Sequence, residues 1–185
     1  MWITRGSEKN LVEAINTLNN QVVILRGARQ VGKTTFIERC LESFDPQQII
    51  RVNLLHATMS DVAGRRYYGR DFFGAADDGN EFLVNIRRIA HGKPVIVFID
   101  ECDRYPLVME AIQNLAQYSG EMRFILTGSN LENMSPKNAA TGRKKYFDLY
   151  PISFKEFLAA SGDQVLIDCL EQTSISDLSA ITEYI

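Results

Sequence analysis

Cysteine and histidine are scarce in this chain of 185 residues, with three of the first and two of the second. Cys40, Cys102 and Cys169 are odd in number, widely spaced and never in a CxxC pair, which excludes a disulfide framework and a zinc-finger-like site and fits a reducing cytoplasm. His56 and His91 stand alone, without metal-ligand spacing. A basic excess is also missing. Twenty Lys and Arg face 23 Asp and Glu, a net charge of -3, which argues against a strongly basic nucleic-acid footprint. Arg143, Lys144 and Lys145 form one local basic run, which reads as a solvated surface or as a phosphate contact. No apolar run is long enough to cross a bilayer, Val95 to Ile99 being the longest purely apolar one. The opening MWITRGSEKN lacks the apolar core and cleavage site of a secretory signal. Neither export nor a membrane span is expected.

What is present is an ordinary globular composition, 45% hydrophobic and 23% charged, sufficient for one sizeable core. Leu11, Ile15 and Leu18 recur at helical spacing after Ser7. The apolar runs "QVVILR", "IIRVN", "PVIVFIDE", "RFILTGSN" and "KKYFDLY" read as strands, and helical patterns separate most of them. One such helix runs from Lys33 to Phe44 and is ended by Asp45-Pro46. Residues 54–80 show no clean period and read as a long connection. Its aromatics Tyr67, Tyr68, Phe72 and Phe73 fit either a satellite core or a stacking surface for an adenine or a partner. Ser153 and Glu156 form an S-x-x-E capping box that opens a further helix. Continuous Val/Ile/Leu strands need burial on both faces, so the expected fold is α/β, a parallel sheet covered by helices on two sides. The expected domains are 1–160, the nucleotide-binding part, and 161–185, the start of an incomplete helical or lid region, because the chain stops inside an apparent helix.

The chemistry begins at "RGARQVGKTT", residues 26 to 35. Gly27-Ala28-Arg29-Gln30-Val31-Gly32-Lys33-Thr34 matches G-x-x-x-x-G-K-[ST] in full, directly after a strand and at the start of a helix. The glycines let successive backbone N–H groups and the helix N-terminus face phosphate. Lys33 is expected at the β- and γ-phosphates, the Thr34 hydroxyl on Mg²⁺, and Thr35 near the α-phosphate.

The strand "VIVFIDE" ends in two carboxylates, which need cations or water as partners. Asp100 is the expected metal residue and Glu101 the group that polarises an attacking water. A GTPase would carry D-x-x-G here and N-K-x-D later. Neither occurs, so ATP is favoured. A third strand, "FILTGSN", ends in Thr127, Ser129 and Asn130. Any of the three can orient the water, and a Gly-Ser-Asn turn explains the same residues.

Four stretches together, "LRGARQVGKTT", "VFIDECDRYP", "ILTGSN" and "TGRKKYFDLYPISFKEFL", resemble the AAA-type ATPase domain of prokaryotic, archaeal-type ATPases of the AAA+ superfamily. The Pro-x-Ser-Phe-x-Glu-Phe run is far more specific than a phosphate loop alone. The resemblance implies a three-layer P-loop NTPase with strand order 5-1-4-3-2 and "RFILTGSN" between the two nucleotide-binding strands. It also implies that Arg143 reaches the nucleotide of a neighbouring subunit, hence a homo-oligomer, and that Asn53 restrains the catalytic Glu101. Relatives of this kind continue into a lid and a C-terminal domain of unknown function.

The expectation is therefore an ATPase that uses Mg²⁺ and ATP to drive a conformational or assembly change. Catalysis falls to Glu101, Arg143, Asn130 and Thr127. A nucleotide-binding switch with negligible turnover is the alternative from another class. A small-molecule kinase fits less well, since no arginine-rich lid segment is seen. DNA, a toxin-like partner or another protein are all compatible clients.

Overall fold

The apolar runs find each other side by side. In the computed structural model, which describes residues 3, 5–17, 22–56, 58–60, 63–68, 79–115, 122–129 and 144–172, they form one sheet. Its strands are β1 (Val22–Arg26), β2 (Ile49–Asn53), β3 (Thr58–Ser60), β4 (Arg66–Tyr68), β5 (Val95–Asp100), β6 (Met122–Thr127) and β7 (Lys144–Asp148). Their spatial order is β4-β3-β2-β5-β6-β1-β7. The pairings among β2, β5, β6, β1 and β7 are parallel, whereas β3 and β4 run antiparallel at one end.

Alternation along the strands sends side chains to two faces. Val22 and Ile24, Ile50 and Val52, Val95, Val97 and Ile99, and Met122, Phe124 and Leu126 join one buried cluster. Two helices complete it, α3 (Gly79–Ala90) through Phe82, Ile86 and Ile89, and α4 (Pro106–Leu115) through Val108, Ala111 and Ile112. The opposite phase, Val23, Leu25, Ile49, Ile96, Phe98 and Ile125, is just as buried. Two polar contacts identify its cover. From that phase Arg51 pairs with Glu38 of α2 (Lys33–Leu41), and Arg123 donates to the Ile15 carbonyl of α1 (Glu8–Thr17) at 2.9 Å. Leu11, Ala14 and Ile15 of α1, with Phe36, Ile37, Cys40 and Leu41 of α2, are buried accordingly. The result is three layers, with β5 buried along its whole length.

Two readings need correction. The helix after the loop ends at Leu41, not Phe44. Phe44 closes a turn back to the Leu41 carbonyl at 3.0 Å, and Asp45 caps a separate 3-10 turn, Pro46–Gln48, by accepting the Gln47 N–H at 2.9 Å. Within residues 54–80 lies the β3–β4 hairpin, whose strands of three residues each are too short to show a period. Tyr67 packs against the core from β4, while Phe72 and Phe73 lie outside the described residues.

The chain divides into two compact units, Lys9–Leu149 and Met1–Glu8 with Tyr150–Ile185. The first holds the sheet. In the second, α5 (Phe154–Ser161) starts at the capping box: the Ser153 hydroxyl accepts the Glu156 N–H, and the Glu156 carboxylate accepts the Ser153 N–H at 2.9 Å. Gly162 ends α5 in the left-handed conformation, and α6 (Gln164–Gln172) follows. Burial by itself would raise the Glu156 carboxyl. The N–H and hydroxyl of Ser153 and the Arg5 guanidinium at 3.1 Å outweigh it and hold the group below its ordinary range.

Candidate functional site

The loop between β1 and α2 gets its shape from three positive-φ positions, two of them glycines. Gly27 (φ 155°), Gln30 (φ 63°) and Gly32 (φ 88°) turn the chain, and Gly32 stands at the N-cap of α2 without a side-chain cap. The first N–H groups of α2 thus stay available to an anion, reinforced by the helix dipole. Gly27 is also sterically required, since a Cβ there would lie 2.4 Å from the Leu149 carbonyl oxygen. Lys33 is 8% exposed, and its ammonium donates to the Gly27 and Ala28 carbonyls at 2.9 and 2.8 Å. Those bonds hold the cation over the mouth of the loop.

Sheet order supplies the other half. β6 lies between β1 and β5, so the carboxyl ends of three adjacent parallel strands open on one edge. Asp100, at the end of β5, is 6% exposed and gathers donors from four directions. The Thr34 hydroxyl donates to its Oδ2 at 2.9 Å, the Asn53 amide to the same oxygen at 3.4 Å, and the Glu101 N–H to Oδ1 at 3.1 Å. The hydroxyl of Thr127, which is wholly buried, also donates to Oδ1. A buried carboxylate demands such donors, each worth about 1.5–3 kcal/mol when charge-assisted. They also fix where its oxygens point.

In front of this pair is an open cleft of about 360 Å³. Arg29, Gln30, Gly32, Lys33, Thr34 and Thr35 form its loop side, and Glu101 and Ser129 stand across from them. The expected residues are thus largely brought together, with Ala28 present through its carbonyl and Val31 through its packing on the Gly27 position. Thr127 takes a different place from the one expected. Its hydroxyl is committed to Asp100 inside the protein, and among the described residues of the β6 tip Ser129 is the polar one that reaches the cleft. Asn53 sits in register with Asp100 and faces that carboxylate rather than Glu101, while its own Oδ1 accepts the His56 N–H at 3.0 Å. Asn130 and Arg143 lie outside the described residues.

Two cleft residues escaped the sequence reading, Leu55 and Arg104. Leu55 falls in the stretch 54–80, which reads as a connection without a period and so singles out none of its residues. Arg104 follows Glu101 by three residues, which is one 3-10 turn, and that spacing was the available signal. Cys102, between them, is fully buried. Burial first, then the Asp100 carboxylate, pushes its thiol well above the ordinary range, so it is no nucleophile at neutral pH.

The donor chemistry fits magnesium. Asp100 and Thr34 present a carboxylate and a hydroxyl oxygen side by side, the small protein share that Mg²⁺ takes when phosphates and water complete its shell. Among the described residues no cluster of three or more His, Cys, Asp or Glu is gathered. No helix among them is long and apolar enough to cross a membrane.

A family model described as an AAA domain matches residues 19–158. No curated protein matches the chain. Among solved structures it is similar to a chain in the structure of Drosophila ORC bound to DNA, with a TM-score of 0.54 and 16% identity over 89% of this chain. It is also similar to a DNA polymerase III gamma subunit-related protein from Thermotoga maritima, with a TM-score of 0.53 and 11% identity over 85% of this chain. At such identities the likeness shows the fold. The chain spans 48% and 49% of the lengths of those two solved chains.

Proposed function

Because the chain belongs to the AAA domain family, we propose that it binds Mg²⁺-ATP in the cleft between the 27–35 loop and the tip of β5 and hydrolyses it to drive a conformational or assembly change. The observation that carries this reading is the 2.9 Å contact between the Thr34 hydroxyl and Asp100, beside the Lys33 ammonium. Residues 66 positions apart in sequence join an anion-binding helix start to a buried acid.

In this reading Lys33 exchanges its two loop carbonyls for phosphate oxygens, and the loop N–H groups hold the phosphate chain. Thr34 and Asp100 hold Mg²⁺, which supplies neutralisation of phosphate charge when bound. Asn53 and Thr127 keep the Asp100 carboxylate oriented. Glu101, at the cleft wall, accepts the proton of the attacking water, and Ser129 helps to orient that water. The reaction is phosphoryl transfer to water, in which positioning and electrostatics provide most of the acceleration. Arg143 acting on a neighbour's nucleotide, an oligomer, and a cytoplasmic setting for cysteines that form no disulfide belong to the same reading.

Calorimetric titration with Mg²⁺-ATP and a phosphate-release assay test it together. The wild type binds saturably and releases phosphate, Lys33→Ala loses binding, and Glu101→Gln keeps binding while phosphate release falls about 100-fold or more. Binding that survives Lys33→Ala overturns the site. Phosphate release that survives Glu101→Gln overturns its role as the base, and a wild type that binds without turnover leaves a nucleotide switch.

A further inference from the structure

The turn that leaves β5 does more than carry Glu101. Glu101 adopts a left-handed conformation (φ 59°, ψ 44°), uncommon for a residue with a Cβ. It bends the chain into the 3-10 turn Cys102–Arg104, closed by the Arg104 N–H on the Glu101 carbonyl at 3.1 Å. Both flanks of this turn are anchored. Cys102 is buried with its thiol donating to the Ile99 carbonyl at 3.3 Å, and Tyr105 packs on the core with its N–H on the Cys102 carbonyl at 3.1 Å. Between these anchors Arg104 is exposed and lines the cleft.

Among the described arginines of the cleft wall, Arg104 shares its electrostatic situation with Arg29, and both differ from the arginines that hold a carboxylate. Arg26, Arg39 and Arg51 each hold a carboxylate, of Asp148, Glu42 and Glu38. Among the described residues the Arg104 guanidinium has no hydrogen-bond or ion-pair partner. Among the described residues that line the cleft, the charged ones are Arg29, Lys33 and Arg104 against Glu101, with the Asp100 carboxylate behind Thr34, a cationic excess suited to a polyanion. Position along the cleft separates their roles. The loop with Lys33 follows β1 and Arg104 follows β5, two strands away across β6. A phosphate chain that began at the α2 N-terminus and passed Lys33 toward the β5 side would approach the part of the cleft wall to which Glu101 and Arg104 belong.

We propose that Arg104 reads the terminal phosphate of the bound nucleotide from within the same subunit, so that the cleft takes a nucleoside triphosphate over the diphosphate. This rests on the reading of the cleft as a Mg²⁺-ATP site. A planar guanidinium offers two parallel N–H donors to phosphate oxygens, a geometry that a lysine cannot reproduce.

The test is calorimetric titration of the whole chain with Mg²⁺ plus the β,γ-imido analogue of ATP, and separately with Mg²⁺-ADP. Wild type, Arg104→Ala, Arg104→Lys and Lys33→Ala are compared. Arg104→Ala is expected to weaken the triphosphate analogue about 10- to 100-fold and ADP by less than about twofold. Arg104→Lys falls between, and serves as the test if the alanine variant does not fold. An unchanged triphosphate affinity, or equal losses for both ligands, overturns the inference. If Lys33→Ala loses both ligands while the Arg104 variants match wild type, the site stands and the role of Arg104 falls. If the wild type binds neither ligand, the reading of the cleft falls and this inference with it.

Discussion

Replacing Gly27 by alanine probes the loop through stability alone, with no nucleotide in the experiment. The new Cβ would sit 2.4 Å from the Leu149 oxygen, 3.2 Å from the Val31 Cγ2 and 3.3 Å from the Leu149 carbonyl carbon. An ordinary carbon–oxygen contact is about 3.3 Å, so the carbonyl has to retreat by about 0.9 Å. Leu149 is poorly placed to do so. It is buried, and its N–H donates to the Arg26 carbonyl at 2.8 Å, just beyond the last β1–β7 register pair, Arg26 with Asp148. Overpacking of about 1–3 kcal/mol, about 1 kcal/mol for a weakened backbone bond and about 1–3 kcal/mol for a side chain at φ 155° give a loss of about 3–7 kcal/mol. For a chain of this size each kcal/mol lowers Tm by about 2–4 °C, so the expected drop is about 6–28 °C in differential scanning calorimetry. Gly32→Ala is the control, because a Cβ there meets nothing within 4 Å and only the left-handed φ of 88° is strained. That strain is worth about 1–2 kcal/mol. If Gly27→Ala melts within about 2 °C of wild type, or above Gly32→Ala, the close approach of the loop to the end of β7 is refuted.

Two further outcomes follow from groups whose protonation the fold shifts. Glu156 titrates below its ordinary value of 4.5, so the stability that it lends the start of α5 is present above about pH 4.5 and is lost as the pH falls through the lower folded value. Acid titration of the melting temperature should show a loss of up to about 1 kcal/mol that Glu156→Gln removes, and an identical acid limb in that variant would contradict it. In native protein at pH 8, iodoacetamide followed by mass spectrometry should label Cys169 and spare Cys102, whose thiol is buried and raised. Labelling of Cys102 without denaturant would contradict its placement.

The sequence was most legible where one physical demand dominates. Apolar runs such as Val95 to Ile99 announce strands buried on both faces, and the spacing from Gly27 to Thr34 announces a glycine-bearing turn from a strand into a helix, because neither pattern has many other uses. The β3–β4 hairpin was illegible, since three-residue strands with glycine and arginine around them carry no period. The hydroxyls at the tip of β6 were ambiguous for a different reason. Thr127 and Ser129 both carry a hydroxyl and, two residues apart, would share a face if the strand continued; the strand ends at Thr127, which donates to Asp100, and Ser129, in a bend beyond it, lines the cleft. Arg104 was only faintly legible, because the three-residue spacing from Glu101 is its one signal and the left-handed turn at Glu101 is a backbone choice that the one-letter code does not disclose.

The same hairpin also bears on how this protein survives at high concentration. A sheet that ended at β2 would offer a five-residue, mostly apolar strand with bare amide and carbonyl groups, a ready template for another molecule to extend. β3 covers that row, and β4, only three residues long, closes the series with exposed Arg66. Short length and positive charge make a poor template, so the hairpin blunts the sheet against growth into aggregates.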